Sequence, residues 1–421
     1  MKFKFWNLFI LGFGFFGVSV LWPLYNSYVP IFLKNFDLSS FAVGSIMTID
    51  NIFAIFMLPV IGALSDQTRT RFGRRMPYIM IGSPLAAIMF VLIPFLKDFN
   101  SLWLLMTVII FMNFFMALFR SPVVALMPDI TPSKYRSQAN GIINFMGGLG
   151  ALLAYFAGKP LYDANPVYPF IAGAALMLIG NIVLFVFVKE PKEYTISEGH
   201  VSVGSVFRKG SSDLIKNLKD VFLAKEKSLL FILLSILFWF IGFNAIETFF
   251  TTYVKYHVGI AESTGAFILG IFSLTFMIFS IPAGIIGSKM GRKKTIFSGI
   301  IIVFLMAVAI FYFGNTDMNI QSNKDFFIKI MYIIFPIGGI GWALINVNSL
   351  PMVVDMTTTE KSGGYTGLYY FFSMAANIFA PPLAGFFMDK KGYNALLVFS
   401  VVFFLLAFFT MMFVRKGEAK E

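Results

Sequence analysis

Twelve long apolar runs, each close to the ~20 residues that cross a bilayer as a helix, leave this chain few folds to choose from. They occupy 6–32, 42–64, 77–96, 103–127, 138–160, 168–188, 229–254, 264–287, 295–313, 327–350, 364–387 and 394–414. A backbone facing lipid finds no water to bond, so runs of this length must satisfy their own hydrogen bonds as helices. Charged residues make up 13% of the chain, about half of what a soluble domain carries. The expectation is an all-α membrane protein with twelve transmembrane helices in the lipid bilayer.

The formal net charge is +12, which on a soluble chain would suggest nucleic acid. Here the cations lie in short segments between apolar runs. With the N-terminus inside, the inner segments hold 24 of the 33 lysines and arginines and the outer segments 8. The positive-inside rule then puts both N- and C-termini in the cytoplasm and makes the basic residues topology signals, with no nucleic-acid partner. The absence of cysteine excludes disulfides and thiolate chemistry. No metal-ligand or nucleophile–base spacing is present, so neither a metal, a cofactor nor an enzyme is expected. The first run follows Lys2 and Lys4, is too long for a signal-peptide core and has no small-residue cleavage site, so it reads as a retained helix.

The longest loop, 189–228, divides the spans six and six, giving an N-terminal bundle over 1–188 and a C-terminal bundle over 229–421. Inside the loop Leu214, Ile215, Leu218, Val221 and Phe222 recur at helical spacing among lysines, which predicts an amphipathic helix on the membrane surface. The halves echo each other at an offset of 226: Asp129 with Asp355, Gly141 with Gly367, Asp163 with Asp389. A duplicated six-helix unit is the signature of a secondary transporter whose halves rock about a midplane site. No Gly-x-x-x-x-Gly-Lys-Ser/Thr loop is present, which argues against ATP-driven transport by this chain alone.

The stretch from Pro59 to Pro77 concentrates charge between two spans. Asp66 closes a helix at the negative end of its dipole, the wrong end for a carboxylate, so cations must answer it. Arg69, Arg71, Arg74 and Arg75 follow. Gly62, Asp66, Arg71, Gly73, Arg74 and Arg75 read as a latch between helix bundles, with Asp129 and Arg136 as a related salt bridge after span 4. The plain alternative is a basic loop that only fixes topology. The stretch returns, degraded, as Gly284–Lys294, where Ser288 stands in the place of Asp66.

These features resemble the major facilitator superfamily: Gly62-x-x-x-Asp66 with trailing arginines is similar to that superfamily's loop 2–3 motif. A narrower resemblance covers roughly residues 59–160. Ser65-Asp66, the run Arg71 to Ile79, the run Arg120 to Asp129 and the run Arg136 to Asn140 are similar to sucrose–proton symporters of the glycoside–cation symporter group. The resemblance implies the major facilitator fold of two pseudo-symmetric six-helix bundles, and a small-molecule sugar substrate such as the disaccharides sucrose or maltose. The chain is expected to function as a monomer; the short loops suggest a prokaryotic inner membrane. Span-2 carboxylates that hold sodium in part of the group fall on Ala54 and Leu58, and the span-4 aspartate of plant sucrose carriers falls on Ile109. The expected coupling ion is therefore a proton, carried by another acid.

A charged residue at a helix centre costs about 2.5–3.5 kcal/mol on insertion scales, so it marks a cavity or a partner. Asp50 and Glu247 are the candidate proton carriers; an interhelical hydrogen bond is the structural alternative for each. Arg120 is a candidate for sugar hydroxyls or for a carboxylate. Its depth, about 25 Å along span 4 against about 12 Å for Asp50 along span 2, predicts that the two do not pair directly. Sugar recognition needs hydroxyl readers and aromatic faces. Trp22, Tyr25 and Asn26 in span 1, Asn51 in span 2, Asn113 in span 4 and Asn144 in span 5 supply them in the first half. Asn244, Trp342, Asn346, Tyr369, Tyr370 and Asn377 supply them in the second. A drug exporter of the same fold and a non-transporting membrane sensor are the rival readings.

Overall fold

A computed structural model describes residues 6–97, 99, 101–131, 136–190, 218–219, 221–356 and 362–418. Among them there is no strand, and twelve helical spans are long and apolar enough to cross a membrane. The helices are α1 (Trp6–Lys34), α2 (Ser40–Met47), α3 (Ile49–Gln67), α4 (Met76–Leu96), α5 (Leu102–Ile130), α6 (Arg136–Ala164) and α7 (Tyr168–Phe187). They continue as α8 (Ser228–Tyr253), which ends in a π-helical turn Val254–Val258, then α9 (Glu262–Met290), α10 (Arg292–Gly314), α11 (Gln321–Val354), α12 (Ser362–Lys391) and α13 (Ala395–Met412). Of the predicted linker helix, Leu214 and Ile215 lie outside the described residues; Val221 is buried and Phe222 exposed in a helical turn.

The helices gather into two compact units. The first is built from α1 and α3–α7, the second from α2 and α8–α13. The division falls inside the second span, which the sequence presents as one uninterrupted helix. That span breaks at Thr48, where the hydroxyls of Ser45 and Thr48 bond the carbonyls of Phe41 and Ser45 at 2.8 Å each, in competition with the helical ladder. On the near side of the break α2 lies against α12. A Cβ on Gly44 would stand 2.3 Å from the Pro381 carbonyl oxygen, and one on Gly385 2.1 Å from that of Ser40, so only glycine permits this approach. The Asp389 carboxylate then accepts the first amides of α2, Ser40 N–H at 2.6 Å and Phe41 N–H at 2.8 Å. A carboxylate there answers the positive end of the α2 dipole.

Lipid is as apolar as leucine, so helices in a membrane hold together by close packing rather than by expulsion of water. In the first unit α1 packs on α6 and α7, and α4 and α3 pack on α5. The glycine-rich stretch of span 5 serves the first contact: a Cβ on Gly150 would lie 2.7 Å from the Phe16 carbonyl oxygen. Phe90 and Phe170 meet at 4.7 Å in the core. In the second unit α11 packs on α9 and α10, and α8 on α12 and α13, around the buried rings of Trp239, Phe250 and Phe335.

Candidate functional site

The charged stretch after α3 folds into a knot of ion pairs inside the first unit. Arg75, only 5% exposed in its side chain, bonds the carboxylates of Asp66 and, at 2.8 Å, Asp129. Its remaining donors reach Ser65 Oγ and the Gly62 carbonyl, the latter at 3.2 Å. Arg74 reaches Asp129 at 2.6 Å and Asp66 at 3.7 Å. The motif thus ties α3, α4 and α5 together. Arg71 does not join it; its guanidinium lies 4.6 Å over the Phe72 ring. No ion pair joins Arg71 to Asp66 or Asp129 among the described residues, against the expectation that it belongs to the knot. Arg136 has a side chain outside the described residues.

Glu190, just past α7, is a member that sequence reasoning missed. Its carboxylate accepts the backbone N–H groups of Arg74, Arg75 and Met76 at 2.8, 2.9 and 2.9 Å. It therefore caps α4 at the end where negative charge is favoured. Gly73 has φ +112°, and a Cβ there would stand 2.5 Å from a Glu190 carboxylate oxygen, so glycine is required on both counts. The second unit repeats the device in reduced form. Arg292 binds Asp355, Gly291 has φ +92°, and Glu418 accepts the N–H groups of Arg292 at 2.6 Å and Lys293 at 3.1 Å. Ser288, in the place of Asp66, only bonds the Ile285 carbonyl at 2.8 Å. The signal for both glutamates was their position: each follows the last span of its half.

A second cluster lies within the helices of the first unit. Trp22 and Tyr25 of α1 meet edge to face at 5.8 Å. The Arg120 guanidinium of α5 sits 6.0 Å from the Trp22 ring. Asp50 of α3 interacts electrostatically with both Arg120 and Tyr25. No ion pair or hydrogen bond joins Asp50 to Arg120 among the described residues, so the interaction acts over a distance. Asn51 Nδ2 donates to Asp50 Oδ1 at 2.8 Å, and Asn113 Nδ2 donates to the Ile109 carbonyl at 3.0 Å. Three buried polar atoms remain without a completed hydrogen bond: Trp22 Nε1, Tyr25 OH and Asn113 Oδ1, the last two close together. Asn26 is half-buried on α1, and Asn144 is exposed on α6.

The second unit holds a cluster of different character. The side-chain amides of Asn244 on α8 and Asn377 on α12 bond each other. Trp342 of α11 lies flat on Phe243 at 3.9 Å and against the edge of Phe240 at 5.4 Å. Tyr369 OH and Ser349 Oγ are 3.1 Å apart in the interior. Tyr369 is buried and Tyr370 is 52% exposed, as successive positions a hundred degrees apart on a helix must be. Glu247 is half-buried one turn beyond Asn244, and Asn346 is half-buried one turn beyond Trp342.

A family model described as Major Facilitator Superfamily matches residues 8–330 and again 254–421. Among curated relatives, the raffinose carrier protein of Pediococcus pentosaceus is 23% identical over 73% of this chain and 51% of its own length. The isoprimeverose transporter of Lactiplantibacillus pentosus is 22% identical over 73% of this chain and 64% of its own. The chain thus spans about half to two thirds of these two relatives. Among solved structures, the nucleoside transporter NupG superimposes with a TM-score of 0.71 at 16% identity, over 97% of this chain and 99% of that one.

Proposed function

The chain belongs to the major facilitator superfamily, a family of multi-pass membrane transporters of small molecules, and from that premise we propose that it takes up a sugar together with a proton. The glycoside, a disaccharide or a related oligosaccharide, is the substrate class favoured by the sugar-carrier relatives and by the narrower sequence resemblance. The observation that carries the reading is the cluster of Trp22, Tyr25, Asn113, Asp50 and Arg120. Burying polar atoms without partners is costly, at about 1–3 kcal/mol each, unless a ligand completes them. Trp22 Nε1 and Tyr25 OH can donate to ring hydroxyls, Asn113 Oδ1 can accept from one, and the indole face suits the apolar side of a pyranose.

The proton step uses Asp50. An ionised carboxylate is held in a membrane interior only beside a cation or water. With Arg120 engaged by sugar, a proton on Asp50 removes the charge that would oppose closing the cavity away from water. Alternating access then releases both on the other side, with the Asp66–Arg75–Asp129 knot re-forming in each cycle. Both termini face the cytoplasm of a prokaryotic cell membrane, and one chain suffices. Glu247 is the alternative carrier in the second unit.

The test is uptake of labelled sucrose, maltose and raffinose into proteoliposomes, with and without an inward proton gradient. The proposal expects gradient-driven accumulation by the native chain and mere equilibration by Asp50→Asn. Accumulation undiminished in Asp50→Asn moves the role to Glu247. No sugar flux under any gradient sinks the sugar reading in favour of an exporter or a sensor.

A further inference from the structure

A groove of about 690 Å3 runs between α12 and α13 of the second unit, with Phe311 of α10 contributing to its wall. Leu383, Phe387 and Lys391 stand four residues apart along α12, so the groove follows that helix for about 12 Å. Val398 and Val402 face it from α13. These four apolar side chains are between 40% and 48% exposed, along a face that a membrane-spanning helix turns to lipid.

Charge marks one end only. Lys391 lines the groove where α12 finishes, and Lys390 beside it stands 4.5 Å over the Phe386 ring. Lys391 has no hydrogen bond or ion pair among the described residues. The adjacent acid, Asp389, is committed to the first amides of α2. Asn394, at the same end, is held by Asn315 and by Tyr253 OH at 3.4 Å. The opposite end is wholly apolar. A slot with one cation lining its mouth, a second lysine next to it in the chain and a hydrocarbon wall over its length has the form of an amphiphile, and its volume falls in the range of ligand pockets.

We propose that this groove holds one acyl chain of an anionic glycerophospholipid, with the phosphate seated against Lys391 and Lys390. The wall supplies contact area and the two lysines supply preference for negative charge, about fivefold for each. The purified full-length chain, exchanged into detergent with phosphatidylglycerol or phosphatidylcholine, is examined by native mass spectrometry. One phosphatidylglycerol retained per chain, in preference to phosphatidylcholine, is the expected result. The double variant Lys390→Gln, Lys391→Gln is expected to lose that preference by about 25-fold, and Val398→Trp, which fills the slot, to lose retention of either lipid. The conservative pair Lys390→Arg, Lys391→Arg keeps the charge and separates its loss from damage to the fold; it retains phosphatidylglycerol. Equal retention of the two lipids by the native chain, or phosphatidylglycerol retention unchanged in either the glutamine pair or Val398→Trp, overturns the proposal.

Discussion

At the scale of single residues, the first unit separates two uses of charge. Arg75 is nearly buried, and its guanidinium is shared among Asp66, Asp129, Ser65 and the Gly62 carbonyl. Removing one acid leaves a buried cation short of partners, so Asp129→Asn should destabilise the protein by about 3–5 kcal/mol in a detergent unfolding titration. Arg71→Ala, from the same motif, should stay within about 0.5 kcal/mol. Tyr25 makes a different prediction. Its hydroxyl has no completed hydrogen bond, so Tyr25→Phe should leave thermal stability unchanged or slightly raised. Equilibrium binding of labelled sugar should nonetheless weaken about tenfold, the worth of one hydrogen bond to a ligand hydroxyl. The sequence made Asp50, Arg120 and Tyr25 visible because charge and polarity are scarce inside apolar runs. It did not show that Trp22 and Tyr25 of α1 share a cluster with Arg120 of α5, because which faces of separate helices meet is a property of three dimensions and not of spacing.

At the scale of elements, helix ends decide much of what the sequence left unread. Glu190, Glu418 and Asp389 each cap the start of a helix far away in the chain, and no local pattern announces such a partner. Glu226 is a local exception. Its carboxylate accepts Ser228 N–H at 2.9 Å and Ser228 Oγ–H at 2.5 Å at the start of α8. Burial alone would raise its pKa, but the two Ser228 hydrogen bonds, with Lys416 and Arg415 nearby, hold it below the ordinary carboxylate value. The stabilisation is therefore present at neutral pH and is lost as pH falls through and below the carboxylate range. Glu226→Gln should lower stability at pH 7 by about 0.5–1 kcal/mol and flatten that acid loss in thermal melts at pH 3–7. Close crossings give a sharper outcome. Gly385→Val puts atoms where the Ser40 carbonyl stands, and overpacking of this kind costs about 1–3 kcal/mol. Its check is loss of protection at Ser40 and Phe41 amides in hydrogen exchange.

At the scale of the whole molecule, the number of spans and the helical class were legible because the bilayer imposes a length and forbids open backbone. The duplication was legible through Asp129 with Asp355, and the structure gives both aspartates the same task, binding an arginine at the start of the helix pair that each aspartate closes. The place of span 2 was not legible. Nothing in an apolar run says that its first eight residues pack with one unit and the remainder with the other. That depended on Gly44 and Gly385, whose meaning lies in the partner backbone.

The second unit is consequently not a continuous stretch of chain. The amide of Ser40 and the carboxylate of Asp389 are 349 positions apart, so during synthesis α2 leaves the ribosome long before its companion exists. At about 5–20 residues per second, the wait lasts on the order of tens of seconds. Through that interval α2 stands at the head of its span, joined to α3, with the face that carries Gly44 not yet covered by α12. A gene split in the central loop would deliver a second fragment missing one of its own pieces.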